Sequence, residues 1–239
     1  MALHCWTEDY GSGDTMEPFG GDVLVITRNL FFLYFTKGLP VTIYLSLLGF
    51  VTAMLVGFVI GLTRFLRVPI LRNLFQAYVD GMRGLPFLMV LYFLFHVLPF
   101  FDIRLTAFAT AVLALTLHTG AYISEIVRGS LLAIPKTQHE SAQSLALSLR
   151  QRLQYIIIPQ AVSLSLPPLA GQSVLHIKDT SVVSIIALTE LTRVGRIQMQ
   201  TNGQPLLTYA ILAVFYFALC YPVLRLSIGL EERIARRFR

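Results

Sequence analysis

The side chains that could do chemistry are few and widely spaced. Glu125 and Arg128 stand three residues apart, one helical turn from each other, at the edge of an uncharged run. Lys178 and Asp179 are adjacent at the end of another such run. His96, His118 and His176 fall in apolar surroundings, but their spacing forms neither HExxH nor any other zinc pattern, so they read as polar packing residues and no metal site is expected. Cys5 and Cys220 sit at opposite ends of the chain and match no metal or redox spacing, which leaves unpaired thiols. No GxxxxGK[ST] loop is present, so the chain has no means of its own to cradle ATP. An intramembrane enzyme would need clustered acids or histidines facing one cavity; none is evident, and no catalytic residue is assigned. What these ionisable groups share is an apolar setting, in which charge is costly and tends to be functional.

That setting follows from composition. Of 239 residues, 55% are hydrophobic and only 13% charged, about half the charged share of a soluble domain. The mean hydropathy is +0.68, and lipid is the expected solvent. A net charge of +6 is compatible with a nucleic-acid partner. Here the arginines stand at the edges of apolar runs and not along a basic, aromatic-interleaved face, so no nucleic-acid partner is expected. Glu8, Asp9, Asp14, Glu17 and Asp22 all precede Arg28. A cleavable signal would have a basic start, so insertion is expected to rely on internal spans.

The elements that must position these groups are membrane helices. A span needs about 20 apolar residues to cross roughly 30 Å of hydrocarbon, and five runs qualify: residues 38–63, 84–101, 105–124, 153–177 and 205–224. The first carries Gly49, Gly57 and Gly61, small enough to let another helix approach closely. The second is short and is expected to begin a little before Gly84. It is followed after only Asp102, Ile103 and Arg104 by the third, which makes the two an antiparallel pair. The fourth contains Pro159, Pro167 and Pro168, which remove backbone donors and should kink it. TSVVSIIALTE, residues 180–190, is too short to cross and reads as a helix lying at or dipping into one membrane face, or as a plain amphipathic connector.

Lysines and arginines near the span ends set the orientation. Arg64, Arg67, Arg72 and Arg83 follow span one; Arg128, Lys136, Arg150 and Arg152 follow span three; Arg225, Arg233, Arg236, Arg237 and Arg239 follow span five. All three groups fall on one side when five helices run from an outside N-terminus to a cytoplasmic C-terminus. Residues 1–37 are then extracytoplasmic, and 231–239 form a basic cytoplasmic tail.

The longest cytoplasmic connection, about residues 128–152, has its own helical pattern. Pro135 suits a first helical turn, and Ala142, Leu145, Ala146 and Leu149 recur at i, i+3, i+4 and i+7 on one face. Ser148 with Gln151 is a capping box that would stop one helix and start another. A short helix, a sharp turn and a second helix running into span four would form a rigid knob. It could transmit motion from a soluble partner or merely cap the bundle as an interfacial hairpin, and the helical pattern leaves both open.

From Glu140 to Pro159 this stretch resembles the cytoplasmic EAA loop of ATP-binding-cassette importer permeases. Glu140, Ser141 and Ala142 take the opening positions, Ala146 takes the place of a glycine, and Ile156, Ile158 and Pro159 close the pattern in register. AYVDGMRGLP, AYISEIVRGSLLAIPKTQ and KDTSVVSIIALTEL resemble further segments of polar amino acid permeases of the histidine/glutamine/glutamate family. The likeness covers residues 38–230.

The resemblance implies an all-α integral membrane protein with the type I importer permease fold, in a bacterial inner membrane. It implies a permease subunit that moves polar amino acids and no enzyme activity of its own. Two copies of a separate ATP-binding-cassette subunit would hold ATP and Mg, a second permease subunit, identical or related, would complete the pore, and an extracytoplasmic solute-binding protein would deliver substrate. Glu140, Ser141, Ala142, Leu145, Ala146, Leu149 and Pro159 would form the coupling loop. Glu125 and Arg128 would orient that loop, an interfacial anchor being the plainer reading. His118, Thr119, Lys178, Asp179, Thr180 and Ser181 would line the solute path or its gate, a mutual ion pair at the headgroup level being the plainer reading of Lys178 and Asp179. The Asp102–Arg104 turn, the acidic N-terminal segment and the Thr180–Arg196 region are candidate surfaces for the binding protein.

Two departures from the pattern stand out. Ser141 replaces an alanine and keeps the residue small. Ala146 replaces a glycine that would permit positive φ at a helix end, so the alanine must either adopt that conformation at a cost or avoid it. A secondary carrier of small polar solutes is the rival reading, but it would show paired broken helices in two related halves, and one such helix is evident. A permease for another small solute, such as an opine, would share this architecture.

Overall fold

The computed structural model describes residues 23–237, and among these every regular element is helical. The acidic N-terminal residues and Cys5 lie outside the described residues. In chain order the helices are α1 (Val23–Phe65), α2 (Leu71–Gly84), α3 (Phe87–Phe101), α4 (Ala107–Leu132), α5 (Lys136–Ser144), α6 (Leu149–Ile186), α7 (Leu191–Asn202) and α8 (Pro205–Arg237). Four of them, α1, α4, α6 and α8, are long and apolar enough to cross a membrane unaided, and the bent pair α2 and α3 reaches the same length and apolarity when taken as one broken span.

The five runs read from sequence recur with shifted ends. The helix that carries span one begins at Val23, ahead of Gly38, because it passes through Arg28 and Lys37 with both side chains exposed. Leu30 and Tyr34 are buried in a cluster with Leu191, Val194, Leu212 and Phe215. Ahead of Gly84 the chain is already helical, as α2, but the helix breaks there. Leu85 and Pro86 are extended, as the residue ahead of a proline prefers, and the chain turns by 109° there. At the far end Asp102 is left-handed, and Thr106 caps α4 by accepting from the Ala109 N–H at 3.2 Å.

Residues 180–190 do not form a separate helix. Thr180–Ile186 continues α6 as a tighter 3-10 turn, and Thr180, Val183, Ser184 and Ile186 are buried. Val183 and Ile186 join Leu45, Leu91 and Leu115 in one core cluster. The chain then reverses at left-handed Ala187.

The tightest packing is between α1 and α4. A Cβ added to Gly57 would lie 2.6 Å from Ile123 Cγ2 and 2.8 Å from the Gly120 carbonyl, and one on Gly61 would lie 2.7 Å from the Ser124 carbonyl. Glycine at these positions is what lets the two backbones approach. On the same face of α1 stand Thr42, Ser46, Gly49, Ala53 and Arg64, all buried.

Candidate functional site

The polar hairpin forms as its capping signals require. After α5 the chain closes a Schellman turn: Leu147 N–H donates to the Ala142 carbonyl at 3.2 Å and Ala146 N–H to the Gln143 carbonyl at 2.9 Å. Ala146 sits at the left-handed position of this turn with φ 55°. The alanine therefore adopts the strained conformation that a glycine would take freely. One residue later the capping box is complete, with Gln151 N–H donating to Ser148 Oγ at 3.3 Å and Ser148 N–H to Gln151 Oε1 at 2.9 Å.

The single apolar face expected across 142–149 does not exist, because α5 ends at Ser144 and the helical period is broken there. Ala142 turns inward and is 2% exposed, whereas Leu145 and Leu149 are 73% and 55% exposed. Glu140, Ser141, Ala146 and Pro159 are exposed as well. The hairpin is fastened at both ends: Ile134 before it and Ile157 after it share one buried cluster with Ala53, Ile123, Val127 and Leu131. The result is a fixed knob that presents two leucines and a carboxylate to the outside.

A charged network joins α1, α2 and α4. Glu125 accepts from Arg64 Nη2 at 2.6 Å and from Arg128 Nη2 at 2.9 Å. Arg64 Nη2 also donates to Gln76 Oε1 at 2.6 Å, and Gln76 Nε2 donates to both Asp80 oxygens. The Arg64 side chain is 1% exposed. Glu125 and Arg128 thus pair as the sequence suggests, but the central member is Arg64, which the sequence reading counted only as an edge charge. Its burial had a signal: Gly57, Gly61 and Arg64 recur at i, i+4 and i+7 on the small-residue face of α1.

The residues expected along a path divide into two groups. His118 and Asp179 come together, with Nδ1 and Oδ2 at 4.0 Å, too long for a hydrogen bond. The His118 ring lies between Phe87 and Tyr122, 5.4 and 5.3 Å between centroids. Thr119 faces elsewhere. It is fully buried and bonds His176 Nδ1 at 2.9 Å, while His176 Nε2 contacts the Ser46 carbonyl at 3.1 Å. A carbonyl only accepts, so Nε2 carries the proton and Thr119 donates to Nδ1, which ties α1, α4 and α6 together. Thr180 is buried and donates to the Ile177 carbonyl at 2.6 Å, Ser181 is half-buried, and Lys178 is exposed and makes no ion pair with Asp179.

Sequence reading also missed Glu190. It is fully buried and caps α7 by accepting from the N–H groups of Thr192 at 2.9 Å and Arg193 at 2.8 Å, with Tyr216 OH donating to Oε2 at 2.9 Å. Of the Thr180–Arg196 surface, Thr180, Val183, Ser184, Ile186, Glu190, Leu191, Val194 and Gly195 are buried and cannot dock a partner, whereas the Asp102–Arg104 turn is exposed.

The profile of the family described as binding-protein-dependent transport system inner membrane component matches residues 49–236. The chain belongs to that family. It is therefore a membrane component of a transport system, with several apolar helices. The L-cystine transport system permease protein TcyB of Bacillus subtilis (strain 168) is 34% identical to it over 212 residues, 88% of this chain and 91% of that protein. The glutamine transport system permease protein GlnP of Escherichia coli (strain K12) is 32% identical over 200 residues, 83% and 91%. A solved amino acid ABC transporter with histidines superposes with a TM-score of 0.79 at 29% identity, covering 88% of this permease and 97% of that chain. The MetNI methionine ABC transporter, at 16% identity and a TM-score of 0.71, shares the fold. The type I ABC permease fold is thus shown.

Proposed function

We propose that this permease moves polar amino acids across a bacterial inner membrane, driven by two copies of a separate ATPase subunit that holds ATP and Mg. A second permease subunit, identical or related, completes the pore, and an extracytoplasmic binding protein supplies the solute. The observation that carries the coupling role is the hairpin itself. Exposing Leu145 and Leu149 to water is unfavourable by about 1.5–3 kcal/mol for each full side chain, and a rigid, fastened knob that exposes both is built to be covered. Glu140, Ser141, Ala142, Ala146 and Pro159 shape that knob. Glu125 and Arg128, through Arg64, hold the span ends beneath it.

Along the path, Asp179 and His118 are the pair that faces a solute. A carboxylate there suits the ammonium group common to amino acids. Lys178 and Ser181 flank it, and Thr119 and Thr180 support it from within the packing. The amino acid reading rests on the cystine and glutamine permeases to which the chain is similar. The test is reconstitution with the co-purifying ATPase and cognate binding protein, titrated in turn with neutral, acidic and basic amino acids, cystine and an opine. Stimulated ATP hydrolysis with a polar amino acid and its loss in Leu145→Arg/Leu149→Arg are expected. Stimulation by none of the amino acids would overturn the substrate reading, and a fully coupled double variant would overturn the coupling reading.

A further inference from the structure

We infer that the cavity between the ends of α1, α2 and α4 binds the phosphate group of an anionic membrane lipid. Arg64, Arg67, Arg72 and Arg128 converge on this cavity of about 110 Å³, and no acidic side chain lines it. Glu125 meets Arg64 and Arg128 outside the lining, and Asp80 reaches Arg64 only through Gln76. Even with both acids counted against them, the four arginines keep an excess of positive charge.

Two of the lining arginines also carry donors with nothing to bond. Nε of Arg64 and Nε of Arg128 are buried with no hydrogen-bond partner. An arginine side chain has donors only, so an acceptor must come from elsewhere or the buried N–H groups go unsatisfied. A phosphate presents several acceptor oxygens and matches the guanidinium fork, which makes it a better occupant than a single carboxylate.

The backbone between α1 and α2 is shaped to bring the exposed arginines in. Arg67 and Ile70 are both left-handed, with φ 54° and 67°, and Leu71 N–H donates to the Pro69 carbonyl at 2.7 Å to close a γ-turn. This reversal sets Arg67 and Arg72 on the same cavity as buried Arg64.

A lipid fits better than free phosphate because the surroundings are apolar. Phe65 and Leu132 line the cavity, and Leu66, Ile70, Leu71 and Leu74 are exposed beside it, Ile70 at 83%. Two apolar spans, α1 and α4, end here, which places the arginines at the depth of the headgroups. A headgroup phosphate would meet the arginines while its acyl chains covered the leucines.

The test is native mass spectrometry of the full chain, purified in mild detergent as the complex it forms. It is challenged with phosphatidylglycerol, with phosphatidylcholine and with inorganic phosphate. Retention of phosphatidylglycerol over phosphatidylcholine is expected. Neutralising two surface cations in R67Q/R72Q should weaken phosphatidylglycerol binding roughly thirty-fold and leave phosphatidylcholine unchanged. R67K/R72K should retain most of the binding, and both pairs stand on exposed positions, so an unchanged melting temperature should accompany the loss. Equal retention of the two lipids, or unaltered phosphatidylglycerol binding in R67Q/R72Q, would overturn the inference. So would inorganic phosphate occupying the cavity with no lipid retained, or an Arg72→Cys cross-link to a co-purifying subunit in place of lipid.

Discussion

Replacing Ala146 with glycine should stiffen the hairpin. Ala146 holds φ 55° at the turn between α5 and α6, a conformation that costs an L-residue with a Cβ about 1–2 kcal/mol. Glycine removes that cost but loses more chain entropy on folding, about 0.5–1 kcal/mol. The net gain is roughly 0.5–1 kcal/mol, or about a two- to five-fold slowing of local opening. The assay is amide hydrogen exchange on the detergent-solubilised permease, read at Leu145, Ala146 and Leu147, whose N–H groups donate to the Ser141, Gln143 and Ala142 carbonyls. Ala146→Val is the opposite perturbation, since a β-branched residue at positive φ is a severe outlier, and it should speed exchange at the same amides. Faster exchange in Ala146→Gly, or no change in Ala146→Val, would refute the strain argument. ATP hydrolysis measured with and without solute in the same variants then asks whether a stiffer hairpin changes coupling.

Glu125→Gln should cost about 2–3 kcal/mol, somewhat less than the roughly 3–5 of a wholly buried pair because Glu125 is partly exposed; a melting temperature in detergent unchanged from the parent would contradict the network. Gly57→Ala should destabilise by about 1–3 kcal/mol through overpacking against Ile123 and the Gly120 carbonyl. Gly129→Ala, in α4 and with open space at its Cβ, should instead be neutral or gain up to about 1 kcal/mol of helix propensity; the same thermal denaturation distinguishes the two. Ser148→Ala removes the cap of α6 and should cost about 1 kcal/mol, visible as fraying of the first turn by hydrogen exchange with α4 unaffected.

What the sequence made legible was local chemistry with a strong signature. The Ser148 and Gln151 spacing marked the turn, and Gly57 and Gly61 marked the close approach of α1 to another helix. What it hid were cases where tertiary context decided. Splitting the chain at charges hid the start of the first helix, because Arg28 and Lys37 are exposed and let the helix continue. Splitting the chain at Lys178 and Asp179 set residues 180–190 apart as a separate helix, but Asp179 and Thr180 both keep right-handed helical backbone, and the helix simply runs on. Arg64 was treated as an orientation signal because arginines at span ends usually are one. Only its register with two glycines distinguished a buried arginine from a solvated one. Glu190 had no such signal, since nothing local shows that a glutamate will fold back on the N–H groups of its own helix.

The prolines add a rule that periodicity does not contain. Wider π turns occupy Tyr34–Gly38, Phe93–Val97 and Leu153–Ile157, and each is followed two residues after its end by a proline: Pro40, Pro99 and Pro159. Within a regular helix each proline would lack a donor for the carbonyl four residues back and press its ring against it; those carbonyls belong to Thr36, Phe95 and Tyr155, all inside the widened turns. Widening the turn absorbs both defects without breaking the helix. At Pro159 this has a mechanical consequence. Ile157 lies in the widened turn and is 1% exposed, in the same cluster as Ile134 on the other side of the hairpin. The knob therefore joins α4 and α6 through one apolar clasp, and a push on Leu145 or Leu149 must move both span ends together or open that clasp.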